Sequence, residues 1–126
     1  MKKILIGTHN SGKFKEISFL LSKKIKKISP KSLKIKSPKE TGKSFIANSK
    51  LKARYFSNFS NLPVISDDSG LCIKSLNDKP GIYSARWAKR YGSFFKAMKV
   101  ILKKMKNEKN RSATFVCCLT FISKLL

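Results

Sequence analysis

The chain opens with Lys3-Ile4-Leu5-Ile6-Gly7, a short apolar run ending in glycine, which reads as a buried first strand over residues 3–7. Phe14, Ile17, Leu20 and Leu21 then recur at helical spacing with lysines between them, and predict an amphipathic helix to about residue 23. From 25 to 36, Ile or Leu alternates with Lys, which fits one or two short exposed strands bracketed by Pro30 and Pro38. After a loop at 37–42, Phe45, Ser49, Ala53 and Phe56 share one face of a second helix over about 44–59. Residues 62–66 and 70–73 read as two strands with Asp67-Asp68-Ser69 between them, and 77–81 as a turn. Phe95, Met98, Leu102 and Met105 mark a third helix, and residues 113–122 have the β-branched and aromatic content of a last strand. No repeat or internal linker interrupts this order, so the pattern is that of one α/β domain over 1–126.

Composition adds limits. No apolar stretch approaches the roughly 18 residues needed to cross a bilayer. The run behind Met1-Lys2-Lys3 stops at Gly7, short of a secretory core. A soluble, cytoplasmic protein with no membrane partner is expected. Lys and Arg number 29 against 6 acids, a formal charge of +23. Such charge raises the question of nucleic acid. Lysine, however, outnumbers arginine 25 to 4 and is scattered along the chain, whereas base-edge and bidentate phosphate recognition favours arginine. The reading is therefore a solvated lysine surface and no nucleic-acid partner, though the charge would still favour a polyanionic ligand such as a nucleotide. Cys117 and Cys118 are adjacent and would point to opposite faces of a strand, so they should neither bridge nor share a metal. With Cys72 they are expected to be buried, reduced, structural thiols.

Four stretches carry candidate chemistry. Gly7-Thr8-His9-Asn10-Ser11-Gly12-Lys13 joins a strand to a helix through small polar residues, which aims backbone N–H groups and the positive helix end at an anion. Literally it is the front of a P-loop, but Phe14 stands where the metal-holding Ser or Thr is required. An ordinary N-cap turn is the alternative. Asp67-Asp68-Ser69-Gly70 places two of only six acids together, suited to Mg2+ and to activating water, or equally to a β-turn. Glu40-Thr41-Gly42 leads into a helix that Ser44 can cap, with Lys52 two turns on and Asn48 at a position where asparagine is a poor helix former. Pro80-Gly81-Ile82-Tyr83-Ser84-Ala85-Arg86 ends in a guanidinium fork, matched to phosphate or to a surface salt bridge.

The order and spacing of these stretches, with Leu51-Lys52-Ala53-Arg54 and Arg111-Ser112-Ala113-Thr114-Phe115, resemble the Ham1/RdgB family of inosine/xanthosine triphosphate pyrophosphatases. The resemblance implies an α/β, Ham1/Maf-like fold with a mixed sheet and flanking helices. It also implies Mg2+-dependent cleavage of ITP, dITP or XTP, purine nucleoside triphosphates, to the monophosphate and pyrophosphate. Carried over residue by residue, Thr8, His9, Asn10, Ser11, Gly12 and Lys13 would cradle the triphosphate. Glu40 and Asp68 would hold the metal, with Asp68 also the catalytic residue that activates water. Lys52, Ser69 and Arg86 would contact the substrate, and the full-length family implies a homodimer.

The same resemblance leads us to expect only the N-terminal two-thirds of a family chain, a single incomplete domain with the C-terminal part of the fold missing. Neither a Phe-Gly-x-Asp segment nor a Ser-His-Arg triplet occurs, and His9 is the only histidine. A terminal strand at 113–122 without its neighbours would leave an apolar edge. Little selectivity for ITP over ATP is expected, because discrimination needs polar groups on the base edge. A P-loop NTPase, a basic nucleic-acid-binding module and an inactive remnant are the rival readings.

Overall fold

The computed structural model describes residues 2–124. They form two compact units, one built from the chain up to Asp68 together with the chain from Cys118 onward, the other from Ser69–Cys117.

The first unit begins with β1 (Lys3–Ile6), whose Ile4, Leu5 and Ile6 are buried. β2 (Lys26–Ile28) and β3 (Val64–Ile73) both run parallel to β1, in registers that include Leu5↔Ile28 and Leu5↔Val64. Parallel neighbours need crossovers. These are supplied by α1 (Ser11–Leu20) and α2 (Phe45–Ser60). Leu5, Ile35, Ala53, Phe56 and Val64 make the core, with Ile28, Tyr55, Leu62 and Ile122 packed against it. α2 is capped by Ser44 Oγ, which accepts the Ala47 N–H, and stopped by Asn61 in the left-handed region. β1 gives way to Gly7, where a Cβ would collide with Ser66 Oγ and the Phe56 ring.

The second unit carries the rest of β3, which pairs antiparallel with β4 (Lys79–Pro80). It also holds α3 (Ser84–Tyr91) and α4 (Phe94–Lys104). Ile73, Ile101 and Met105 form its core with Leu71, Leu76 and Trp87 around them. The last strand, β5 (Ala113–Ile122), pairs with β3.

Several expectations are corrected. The α/β fold expected to be missing its C-terminal part runs along the whole described chain, and its last strand, β5, has β3 as a neighbour to pair with. Residues 62–73 are not two strands around a turn. Val64–Ile73 is one strand, because its buried acids find cationic partners and need no exit to solvent. Residues 25–36 yield β2 and a 3-10 turn at Lys31–Leu33. Helix α3 was not foreseen, since its run of Arg, Lys and Tyr hides any apolar period. In α4 it is Ala97 and Ile101 that face inward, joined by Met105 just past the helix end, while Phe95, Met98 and Leu102 are exposed. Cys117 is exposed and Cys72 and Cys118 are half-buried; alternate residues of β5 face outward, so a pair of adjacent cysteines cannot both be covered.

Candidate active site

All the residues of the central cluster belong to the first unit. The stretch after β1 is a loop only as far as Asn10; Ser11, Gly12 and Lys13 already form the first turn of α1. Asn10 Oδ1 accepts the Gly12 and Lys13 N–H groups at 2.9 and 3.1 Å. The Asn10 N–H in turn donates to Thr8 Oγ1 at 3.1 Å, and Thr8 is buried. His9 is exposed, yet its Nε2 donates to the Ile35 carbonyl at 2.9 Å and its ring tilts against Phe56. That bond ties the loop to the segment after β2. A cleft of about 570 Å³ lies along this side of the loop, lined by Thr8, His9, Asn10, Ser11 and Phe14. The acids described next do not line it.

Lys13, projecting from the first turn of α1, reaches Asp67: its Nζ lies 3.1 Å from Asp67 Oδ2. Lys52, on the buried face of α2, brings its Nζ to 3.3 Å from Glu40 Oε1 and 3.8 Å from Asp67 Oδ1. The Lys52 side chain is only 9% exposed and that of Asp67 4%. Three elements and one loop thus converge: β3 supplies Asp67 and Asp68, α1 supplies Lys13, α2 supplies Lys52, and the 37–42 loop supplies Glu40.

Asp68 is buried with them. Its carboxyl is pushed up from 3.8 to about 6, first by burial and then by the Glu40 charge, while Lys52, Asn48 and Lys13 pull the other way. Its Oδ2 is buried without a well-formed hydrogen bond among the described residues, and the Asn48 amide is the side-chain donor beside the carboxyl. The structure gives a part in the cluster to two residues that the sequence had flagged without assigning them one. Asp67 is the acid that both lysines share, although adjacency to Asp68 was its only signal. Asn48 is fully buried, and its Oδ1 accepts the Gly42 N–H at 2.7 Å.

Ser69 and Arg86 belong to the second unit. There the Ser84 hydroxyl donates to the Gly81 carbonyl at 2.7 Å and accepts the Leu71 N–H at 2.9 Å, which fastens the 80–86 stretch to β3. The exposed Arg86 stacks its guanidinium over the Tyr83 ring at 5.0 Å.

The fold and cluster define a class: an α/β protein with a capped strand–loop–helix turn beside buried carboxylates and lysines. The Ham1 family model matches residues 4–125, and the chain belongs to the Ham1 family. It is 43% identical over 124 residues to the dITP/XTP pyrophosphatase of Haemophilus influenzae, covering 96% of this chain and 64% of that one. With the dITP/XTP pyrophosphatase of Zymomonas mobilis it shares 39% over 122 residues, or 94% and 58% of the two chains. Among solved structures it is similar to a HAM1 protein from Coxiella burnetii, with TM-score 0.86 and 32% identity over 98% of this chain and 64% of that one. The Staphylococcus aureus Ham1 protein gives TM-score 0.83 and 33% identity over 97% and 64%. The chain spans about three-fifths of the length of the relatives it matches.

These matches correct the expectation that the resemblance is that of an N-terminal two-thirds only. Family homology takes in nearly the whole of the 126 residues, and the Coxiella fold is matched through β5. Among the described residues no helix is long and apolar enough to cross a membrane.

Proposed function

We propose that this chain carries a nucleoside-triphosphate pyrophosphohydrolase site that cleaves purine triphosphates of the ITP, dITP and XTP class to the monophosphate and pyrophosphate. The observation that carries it is the convergence of Glu40, Asp67 and Asp68 with Lys13 and Lys52 beside the Thr8–Asn10 loop. The substrate class rests on the names of the relatives, dITP/XTP pyrophosphatases.

The triphosphate lies along the loop and the first turn of α1. Thr8, His9, Asn10, Ser11 and Gly12 shape the cradle, and Lys13 adds charge at the positive helix end. Lys52 neutralises phosphate from the α2 side. Both lysines are held by carboxylates, which fixes where their ammonium groups point.

Glu40 and Asp68 are the residues that would hold Mg2+. The donors fit: a hard cation that keeps most of its waters takes one or two carboxylates plus phosphate oxygens, and Asp68 presents a buried oxygen without a well-formed hydrogen bond among the described residues. When bound, the ion supplies charge stabilisation for the phosphate oxygens. Asp68 takes the proton from the attacking water, a role suited to a carboxyl raised to about 6. The partition of burial and charge around Asp68 is what makes it a better base than an exposed aspartate.

Product analysis tests the reading. With Mg2+ and ITP, XTP, ATP or GTP, pyrophosphate and the monophosphate are expected, and Asp68→Asn is expected to lose the activity. Release of orthophosphate and a diphosphate would instead favour a P-loop-type NTPase and sink this reading.

A further inference from the structure

Asn48 lies near the start of α2 with no exposure, an unfavourable residue for a helix interior. Its carboxamide works in two directions. Oδ1 accepts the Gly42 N–H at 2.7 Å, tying the Glu40–Gly42 loop back to the helix. Nδ2 is buried with no hydrogen bond of good geometry among the described residues, and it faces the Asp68 carboxyl, whose Oδ2 is buried in the same condition. Gly42 closes against the same side chain. A Cβ there would lie 2.6 Å from Asn48 Oδ1, 2.9 Å from Ala47 Cβ and 3.0 Å from Asn48 N.

We propose that Asn48 is a positioning residue: it clamps the Glu40 loop to α2 through Gly42 and orients the Asp68 carboxylate, so that two acids distant in sequence present their oxygens to one divalent cation. The inference rests on the reading that Glu40 and Asp68 hold the metal. Gly42 belongs to the same device, as the residue that lets the loop approach the amide.

Mn2+ binding by the full chain, followed by electron paramagnetic resonance without nucleotide, tests it. Wild type is expected to bind Mn2+ and Asp68→Asn to lose it. Asn48→Ala is expected to weaken binding about tenfold, the scale on which groups supporting metal ligands act. Gly42→Ala, which displaces the loop and leaves Asn48 in place, is expected to do the same. The double variant should lose no more than either single one, because both act through one clamp. Thermal unfolding measured in parallel reports structural damage. Mn2+ affinity of Asn48→Ala within about twofold of wild type, or losses that multiply in the double variant, would overturn the clamp. If Asn48→Ala does not fold, unchanged Mn2+ affinity in Gly42→Ala overturns it alone. Absence of Mn2+ binding by wild type would overturn both the metal reading and this inference. Binding lost in Asp68→Asn but kept in Asn48→Ala would overturn the clamp only.

Discussion

Lys13 Nζ stands 3.1 Å from Asp67 Oδ2, joining the first turn of α1 to the middle of β3. The pair explains how a strand with consecutive aspartates stays a strand. Asp67 is 4% exposed, and an isolated carboxylate so placed would be driven to protonate or to leave the sheet. Lys13 approaches it from α1, and Lys52 approaches its other oxygen from α2.

The two lysines should not be equivalent. Lys52 is 9% exposed and pairs with Glu40 and Asp67, whereas Lys13 is 29% exposed and pairs with Asp67. Breaking a buried pair costs about 3–5 kcal/mol, while a partly exposed one is worth about 1 kcal/mol or less. Urea unfolding is therefore expected to show Lys52→Met destabilised by roughly 3 kcal/mol and Lys13→Met by roughly 1. Equal losses would contradict the asymmetry of burial.

Asp68 should make stability fall as pH rises. Its folded value, about 6, lies above the ordinary 3.8. Between these values the unfolded chain has released the proton and the folded one still holds it, so folding stability declines across that window and levels off above it. At about 1.4 kcal/mol per unit, the penalty at neutral pH is roughly 2–3 kcal/mol. Asp68→Asn, assayed without divalent ions, is expected to melt above wild type at pH 7.5 and to match it below pH 4. A constant offset across that range would rule out titration of Asp68 as the cause. Loss of activity together with gain of stability is the pattern of a functional buried acid.

Gly7 is constrained by packing rather than by a left-handed backbone. A methyl group there would strike Ser66 Oγ and the Phe56 ring, and Phe56 is fully buried in the core of the first unit. Gly7→Ala is expected to cost about 1–3 kcal/mol as overpacking. Because Gly7 directly precedes Thr8, the shift should also weaken nucleotide binding, readable as a larger KM. A variant with wild-type stability and KM would show that the close approach is dispensable.

Much of the scaffold was legible in the residues. The apolar run ending at Gly7, the helical spacing of Phe45, Ser49, Ala53 and Phe56, the Ser44 cap and the period-2 chemistry of 113–122 all correspond to observed elements. These are local signals, carried by periodicity and capping, and they need no knowledge of neighbours. The loop leading into α1 was legible too, although Asn10 capping moved the helix start forward to Ser11. Of the positions that marked α4 in the sequence, Met105 is buried while Phe95, Met98 and Leu102 are exposed, and the small Ala97 with Ile101 forms the inner face instead.

The sequence by itself determined β1, the helices α1, α2 and α4, the last strand, the Ser44 cap, and the family resemblance that nominated Glu40, Lys52 and Asp68. Only the tertiary structure decided that Asp67-Asp68-Ser69 continues a strand and does not turn. It also decided which acid the lysines share, and that Asn48 looks toward both Gly42 and Asp68. The reason is physical. A turn and a buried strand are equally good local solutions for those residues, and the choice depends on counter-charges that arrive from α1 and α2 only after the chain has folded.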